Sequence, residues 1–174
     1  MMQAGPFIIF LDMDGVLNTP RVCLTQKSSR NPYSWIDPIS VKLLNRLIRD
    51  TEEKHSAAVK IVLSSSWRTS MERGDLYQMM GLINLDADCH DQFKTPYPEV
   101  GEIRGDQIDR WLAANSDVTN WIILDDESDF HDHQKPRLIQ TSMEDGILLS
   151  HFTQAENVIE RIFQPCDNPN PQET

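Results

Sequence analysis

Three things are scarce in this sequence, and each scarcity removes a class of reading. Cysteine occurs three times, at Cys23, Cys89 and Cys166. These residues are far apart and odd in number, with no CxxC or Cys/His ligand spacing. A zinc ribbon or a disulfide framework is therefore excluded, and free thiols in a reducing compartment are expected. Long apolar runs are missing too. The stretch from Pro6 ends at Asp12, far too short to span a bilayer. No basic segment precedes it, so a signal peptide is not expected and a cytoplasmic location is. Positive charge is the third shortage: 16 Lys and Arg stand against 27 Asp and Glu, for a net charge of −11. A chain this acidic is a poor non-specific binder of polyanions. The deficit is uneven. Residues 1–60 carry 8 basic and 6 acidic residues, and residues 61–174 carry 8 and 21.

What is present suffices for a core. The chain has 174 residues, 39% of them hydrophobic, with four Trp and six Phe. That length suits one domain, and no repeat or linker divides it. The pattern predicts a single domain over 1–164. A disordered tail is expected over 165–174, where three prolines stand among little that could be buried.

Strand and helix patterns alternate. Phe7 to Leu11 predicts a strand apolar on both faces, as parallel sheets require. Residues 18–36 predict a long loop, a small cap or substrate loop, carrying Arg21, Lys27 and Arg30. Asp37-Pro38 predicts a helix start, with Val41, Leu44, Leu47 and Ile48 at helical spacing. Ala58 to Leu63 is a second strand, followed by a helix around 69–80, and 84–104 read as mostly irregular. Gly105-Asp106 opens a helix, and Trp121 to Leu124 and Arg137 to Gln140 are further strands. Thr153 and Glu156 predict a capping box for the last helix. The expected fold is α/β: a three-layer, doubly wound parallel sheet, with its site at the carboxyl ends of the strands.

Polar clusters follow three of those strands: Asp12-Met13-Asp14-Gly15, Ser64-Ser65-Ser66 and Asp125-Asp126. A parallel sheet gathers them at one edge. Four carboxylates together repel one another, and a hard cation such as Mg²⁺ relieves that repulsion, normally with a substrate phosphate completing its shell. In the first cluster, residues i and i+2 share a face, and Gly15 permits a sharp exit from the sheet. One carboxylate can then attack phosphorus while the other serves as acid and base.

The segment Ile9 to Asn18, with its DxDG core, resembles the first motif of the haloacid dehalogenase-like (HAD) hydrolase superfamily. The serines after Leu63 resemble its second motif and Leu124-Asp125-Asp126 its fourth. Within the superfamily the chain is similar to the small HAD domains associated with RNA-repair proteins, on LDMDGVLN, LSSSWR, RGDQIDRWL, ILDDESDF and Asp145-Gly146-Ile147. The resemblance implies a Rossmann-like fold with a minimal cap and a Mg²⁺-dependent phosphatase. Its substrate would be a nucleotide or a nucleic-acid terminal phosphate. Asp12 would be nucleophile and metal ligand. Asp14 would be the acid and base, and would bind metal through its carbonyl. Asp125 and Asp126 would hold the metal. A serine would bind the phosphoryl group: alignment on the strand end selects Ser64, alignment on Trp67 selects Ser65. The neutralising cation would be Arg104, with Lys94 the alternative. Arg21, Lys27, Arg30 and Arg68 are candidate contacts to substrate, set against a solvated loop or a structural ion pair.

Other features carry less. His131 and His133 lie in a polar loop without a fourth metal partner, and read as surface. The four tryptophans read as core, although Trp35 and Trp67 fall where a pocket wall is also possible. A phosphatase of a small metabolite is the nearest alternative function. A non-hydrolytic phospho-acceptor or binding module is the more distant one. Neither the substrate nor the oligomeric state is fixed by these residues.

Overall fold

A computed structural model describes residues 5–25 and 33–164. Lys27, Arg30 and the tail expected to be disordered lie outside that range. Five strands form one parallel sheet: β1 (Phe7–Leu11), β2 (Val59–Leu63), β3 (Asp88–Lys94), β4 (Trp121–Asp125) and β5 (Leu138–Gln140), in the order β3-β2-β1-β4-β5. The chain winds outward from β1 to β3 and then crosses back to β4 on the other side. The crevice of a doubly wound sheet opens where that winding reverses, beside β1 and β4.

Among the described residues five helices complete the layers: α1 (Pro20–Thr25), α2 (Pro38–His55), α3 (Arg73–Ile83), α4 (Arg104–Ala114) and α5 (Leu149–Phe163). Strand alternation assigns the faces. Phe7, Ile9, Leu11, Ile61, Leu63, Ile122 and Leu124 pack under buried residues of α2, α3 and α5. Ile8, Phe10, Val62 and Ile123 face the opposite way, against Ile108 and Trp111 of α4. Phe10 meets Trp111 edge-on at 5.2 Å between ring centres. Every residue of β1 is buried, which agrees with its unbroken apolar run.

The Asp37-Pro38 start holds. Asp37 Oδ1 accepts the Ile39 amide at 2.8 Å, and Ser56 ends α2 in the left-handed conformation. Four expectations need correction. The 18–36 loop contains α1, with Pro20 at a first helical position where its missing N–H is harmless. The helix expected around 69–80 starts and stops later: a 3-10 turn at Ser66–Thr69 precedes α3, which Asn84 caps. The irregular stretch 84–104 contains β3, a polar edge strand whose register against β2 shifts between Ile61 and Leu63. Thr153 does not cap α5. The helix begins a turn earlier, where His151 Nδ1 accepts the Leu148 amide, and the Thr153 hydroxyl donates to the Leu149 carbonyl. Among the described residues no helix is long and apolar enough to cross a membrane.

Candidate active site

Register builds the site. Leu11 pairs with Leu63 on one side and Leu124 on the other. The next residue on each strand is therefore level: Asp12, Ser64 and Asp125. By strand alternation all three continue the face packed by α4, and α4 begins with Arg104. Asp12 is 4% exposed and Asp125 is fully buried. Arg104 Nη1 lies 3.1 Å from Asp12 Oδ2 and 2.8 Å from Asp125 Oδ2. Carboxylate oxygens of Asp12, Asp125 and Asp126 all lie within 4.8 Å of one another.

Three clustered carboxylates with one guanidinium carry an excess of negative charge. Burial, and then the neighbouring Asp12, push the Asp125 carboxyl up to about 7, although Arg104 opposes the shift. The same two causes raise Asp126. Burial works against the charge on Arg104, yet Asp125 and Asp12 together raise its pKa. The donor set is entirely oxygen and partly enclosed, which suits a hard divalent cation.

The turn after Asp12 is tightly determined. Gly15 has φ +69°, and a Cβ there would stand 2.3 Å from Asp126 Cγ. The Thr141 hydroxyl donates to the Gly15 carbonyl at 2.6 Å, and the Ile147 amide to the Val16 carbonyl at 3.1 Å. Gly146, at φ +63°, lets that second strap approach: a Cβ would meet Val16 O at 2.6 Å. Gly15→Ala is expected to lower stability by at least about 1 kcal/mol, or about 2–4 °C in Tm, because alanine pays for the left-handed backbone and displaces Asp126. A thermal melt with unchanged Tm would contradict this.

Asp14 is held outside the carboxylate cluster. Its Oδ1 accepts Asn18 Nδ2 at 2.6 Å and its Oδ2 accepts Trp67 Nε1 at 2.9 Å. Asn18 stood within the first motif, but its bond to Asp14 needed the turn. The two serines separate clearly. The Ser64 amide donates to the Leu11 carbonyl, and its buried Oγ has no hydrogen-bond partner. Ser65 Oγ accepts the Trp67 amide at 3.3 Å and caps the 3-10 turn.

The remaining basic candidates are placed elsewhere. Lys94 Nζ donates to the Met71 carbonyl at 3.0 Å and sits over the Phe93 ring, apart from Asp12 and Asp125. Arg68 is 5% exposed. It donates to the carbonyls of Ser64 and Ser65, each at 2.7 Å, and to Gln107 of α4. Its guanidinium braces the serine loop instead of facing solvent, and burial lowers its pKa. Arg21 bonds Asp37, the cap of α2. Sequence displays the charge of these residues but not the partners that occupy it, and Gln107, although inside the RGDQIDRWL segment, is not singled out there as such a partner. His131 and His133 bond Asp106 and Asp109 on α4, in keeping with a surface loop.

A family model described as the HAD domain in Swiss Army Knife RNA repair proteins matches residues 8–152. The chain belongs to this family. No curated protein and no solved structure gives a significant match. The match spans the sheet from Ile8 onward and all three polar clusters, so the parallel sheet is that of a HAD domain. The chain thereby joins a hydrolase superfamily whose members typically use a divalent metal, and the buried aspartate cluster is this HAD domain's candidate for holding one.

Proposed function

We propose that this HAD domain is a Mg²⁺-dependent phosphomonoesterase acting through an aspartyl-phosphate on Asp12. The observation that carries the reading is Arg104 bridging Asp12 and Asp125 at the carboxyl edge of the sheet, beside Asp126. Asp12, Asp125 and Asp126 would hold the metal through their side chains and Asp14 through its carbonyl. Bound there, Mg²⁺ would offset the negative charge of both the carboxylates and the phosphoryl oxygens.

The protein's own groups divide the remaining work. An Asp12 oxygen attacks phosphorus as the bond to the leaving oxygen breaks, and Asp14 delivers its proton to that oxygen. Asp14 then takes a proton from water, whose oxygen attacks the same phosphorus. The Asp12–phosphorus bond breaks, inorganic phosphate leaves and the Asp12 carboxylate is restored. Arg104 and the unpartnered Ser64 hydroxyl receive the phosphoryl oxygens, where charge develops in the transition state. Ser65, Arg68 and Lys94 would shape the surrounding loops, and Arg21 would stabilise the entry to α2.

The family description supports a phosphorylated nucleic-acid end as the substrate. Such a substrate, together with the free, buried thiol of Cys89, is in keeping with a cytoplasmic enzyme. The direct test is phosphate release from an aryl phosphate in Mg²⁺ and in excess chelator. Release in Mg²⁺, lost in chelator and restored by readdition, is expected. Equal release in both would overturn the metal dependence.

A further inference from the structure

Trp111 and Trp121 are core residues, but Trp35 is 39% exposed and Trp67 is half-buried. With Tyr33 they line an open cleft of about 540 Å³, completed by Ser66, Ser70, Met71 and Asp75. The aromatic rings succeed one another edge to face: Tyr33 to Trp35 at 6.3 Å, and Trp35 to Trp67 at 6.3 Å. The last ring reaches the active site, because Trp67 Nε1 donates to Asp14.

We propose that this cleft is a nucleobase subsite, seating the base of the nucleotide whose phosphate is presented to Asp12. The inference rests on the phosphatase reading above and names what the substrate must carry besides phosphate. Three features favour a base over other occupants. Aromatic walls stack flat heterocycles irrespective of their sequence, whereas a sugar or polyol phosphate offers no such face. The cleft's volume lies within the range usual for small-ligand sites, about 300–1,000 Å³. Among its described lining residues the charged one is Asp75, which does not suit a second phosphate. Asp75 and the hydroxyls of Ser66 and Ser70 instead suit the N–H edge of a base.

The same base is available from a free nucleotide or from a strand end, and the test separates them. Phosphate release would be compared for adenosine monophosphates, ribose 5-phosphate, and a 3′-phosphorylated trinucleotide with and without its terminal base. Base-bearing substrates should exceed their base-free counterparts in kcat/KM by about 5- to 150-fold, the equivalent of about 1–3 kcal/mol for one stacked base. The trinucleotide surpassing the mononucleotide would assign the cleft to strand ends, and the reverse would assign it to free nucleotides. Trp35→Leu should bring the base-to-abasic ratio close to one, and Trp35→Phe, which keeps a ring, should restore most of it.

A second readout is independent of turnover. Adenosine monophosphate should quench tryptophan fluorescence in Asp12→Asn protein, and ribose 5-phosphate should not. Quenching without hydrolysis of any substrate would sink the phosphatase reading and leave the subsite standing. Equal turnover of base-bearing and abasic substrates, a preference indifferent to Trp35→Leu, or no quenching would each overturn the subsite.

Discussion

Asp12→Asn should lower the turnover of an aryl phosphate by at least about 10⁴-fold, with the fold intact. The amide occupies the same volume at a nearly buried position and still offers an oxygen to Arg104. It also removes one negative charge from a crowded cluster, so the variant should melt no lower than wild type in chelator. What it lacks is an anionic oxygen able to bond phosphorus. Asp14→Asn should behave differently. An aryl leaving group needs little protonation, so Asp12 can still attack, but no base remains to activate water against the acyl phosphate. Steady-state turnover should fall by about 10²–10⁴-fold. Acid-quenched samples should retain a phosphoryl group on Asp12, detectable by peptide mass. The pair of results separates nucleophile from acid-base residue. Asp12→Asn retaining more than about 1% of wild-type turnover would sink the covalent reading.

Much of this was legible in the sequence because its strongest signals concern the sheet centre. An uninterrupted apolar run gives β1, polar residues after three mainly apolar runs give the candidate site's edge, and the Asp37-Pro38 cap gives the start of α2. Each of these is local, and parallel topology supplies the rest. The elements that escaped owe their structure to distant partners. β3 is mostly polar because it is an edge strand, so it lacks the apolar run that marks β1 and β4. The start of α5 rests on a His151 bond that competes with a more obvious Thr153 pattern. Among the basic residues, sequence spacing could not separate Arg104 from Lys94. The packing of α4 on one sheet face does so, by bringing Arg104 over Asp12 and Asp125 while Lys94 turns toward the loop at Met71. Trp35 and Trp67 share a composition with the core tryptophans, and only tertiary structure separates a wall from a core.

The second large effect is an inversion of stability order at Asp125. Its carboxyl is pushed up to about 7 in the folded protein, from an ordinary value of 3.8 in the unfolded chain. The folded state then binds a proton that the unfolded state has released. Without metal, stability should therefore fall as pH rises from about 4 to about 7, and remain low above that. The shift corresponds to at most about 4 kcal/mol at pH 8. Asp125→Asn removes this penalty. It sacrifices part of the bonding to Arg104 and to the Glu127 amide, worth about 1 kcal/mol, since one amide oxygen must replace two carboxylate oxygens. In chelator at pH 8 the variant should gain about 3 kcal/mol, or about 6–12 °C in Tm, and at pH 4 the difference should nearly vanish. Saturating Mg²⁺ reverses the order. At 1,000 times its dissociation constant a ligand stabilises the native state by about 4.1 kcal/mol, more than the variant's lead, which wild type should gain and the variant, deprived of a buried ligand, should largely forgo. The variant should also lose phosphatase turnover. Melting curves at two pH values, with and without Mg²⁺, decide the matter. A variant that melts below wild type in chelator would show that Asp125 is a net stabilising partner of Arg104, and one that gains as much from Mg²⁺ would show that Asp125 is no part of a metal site.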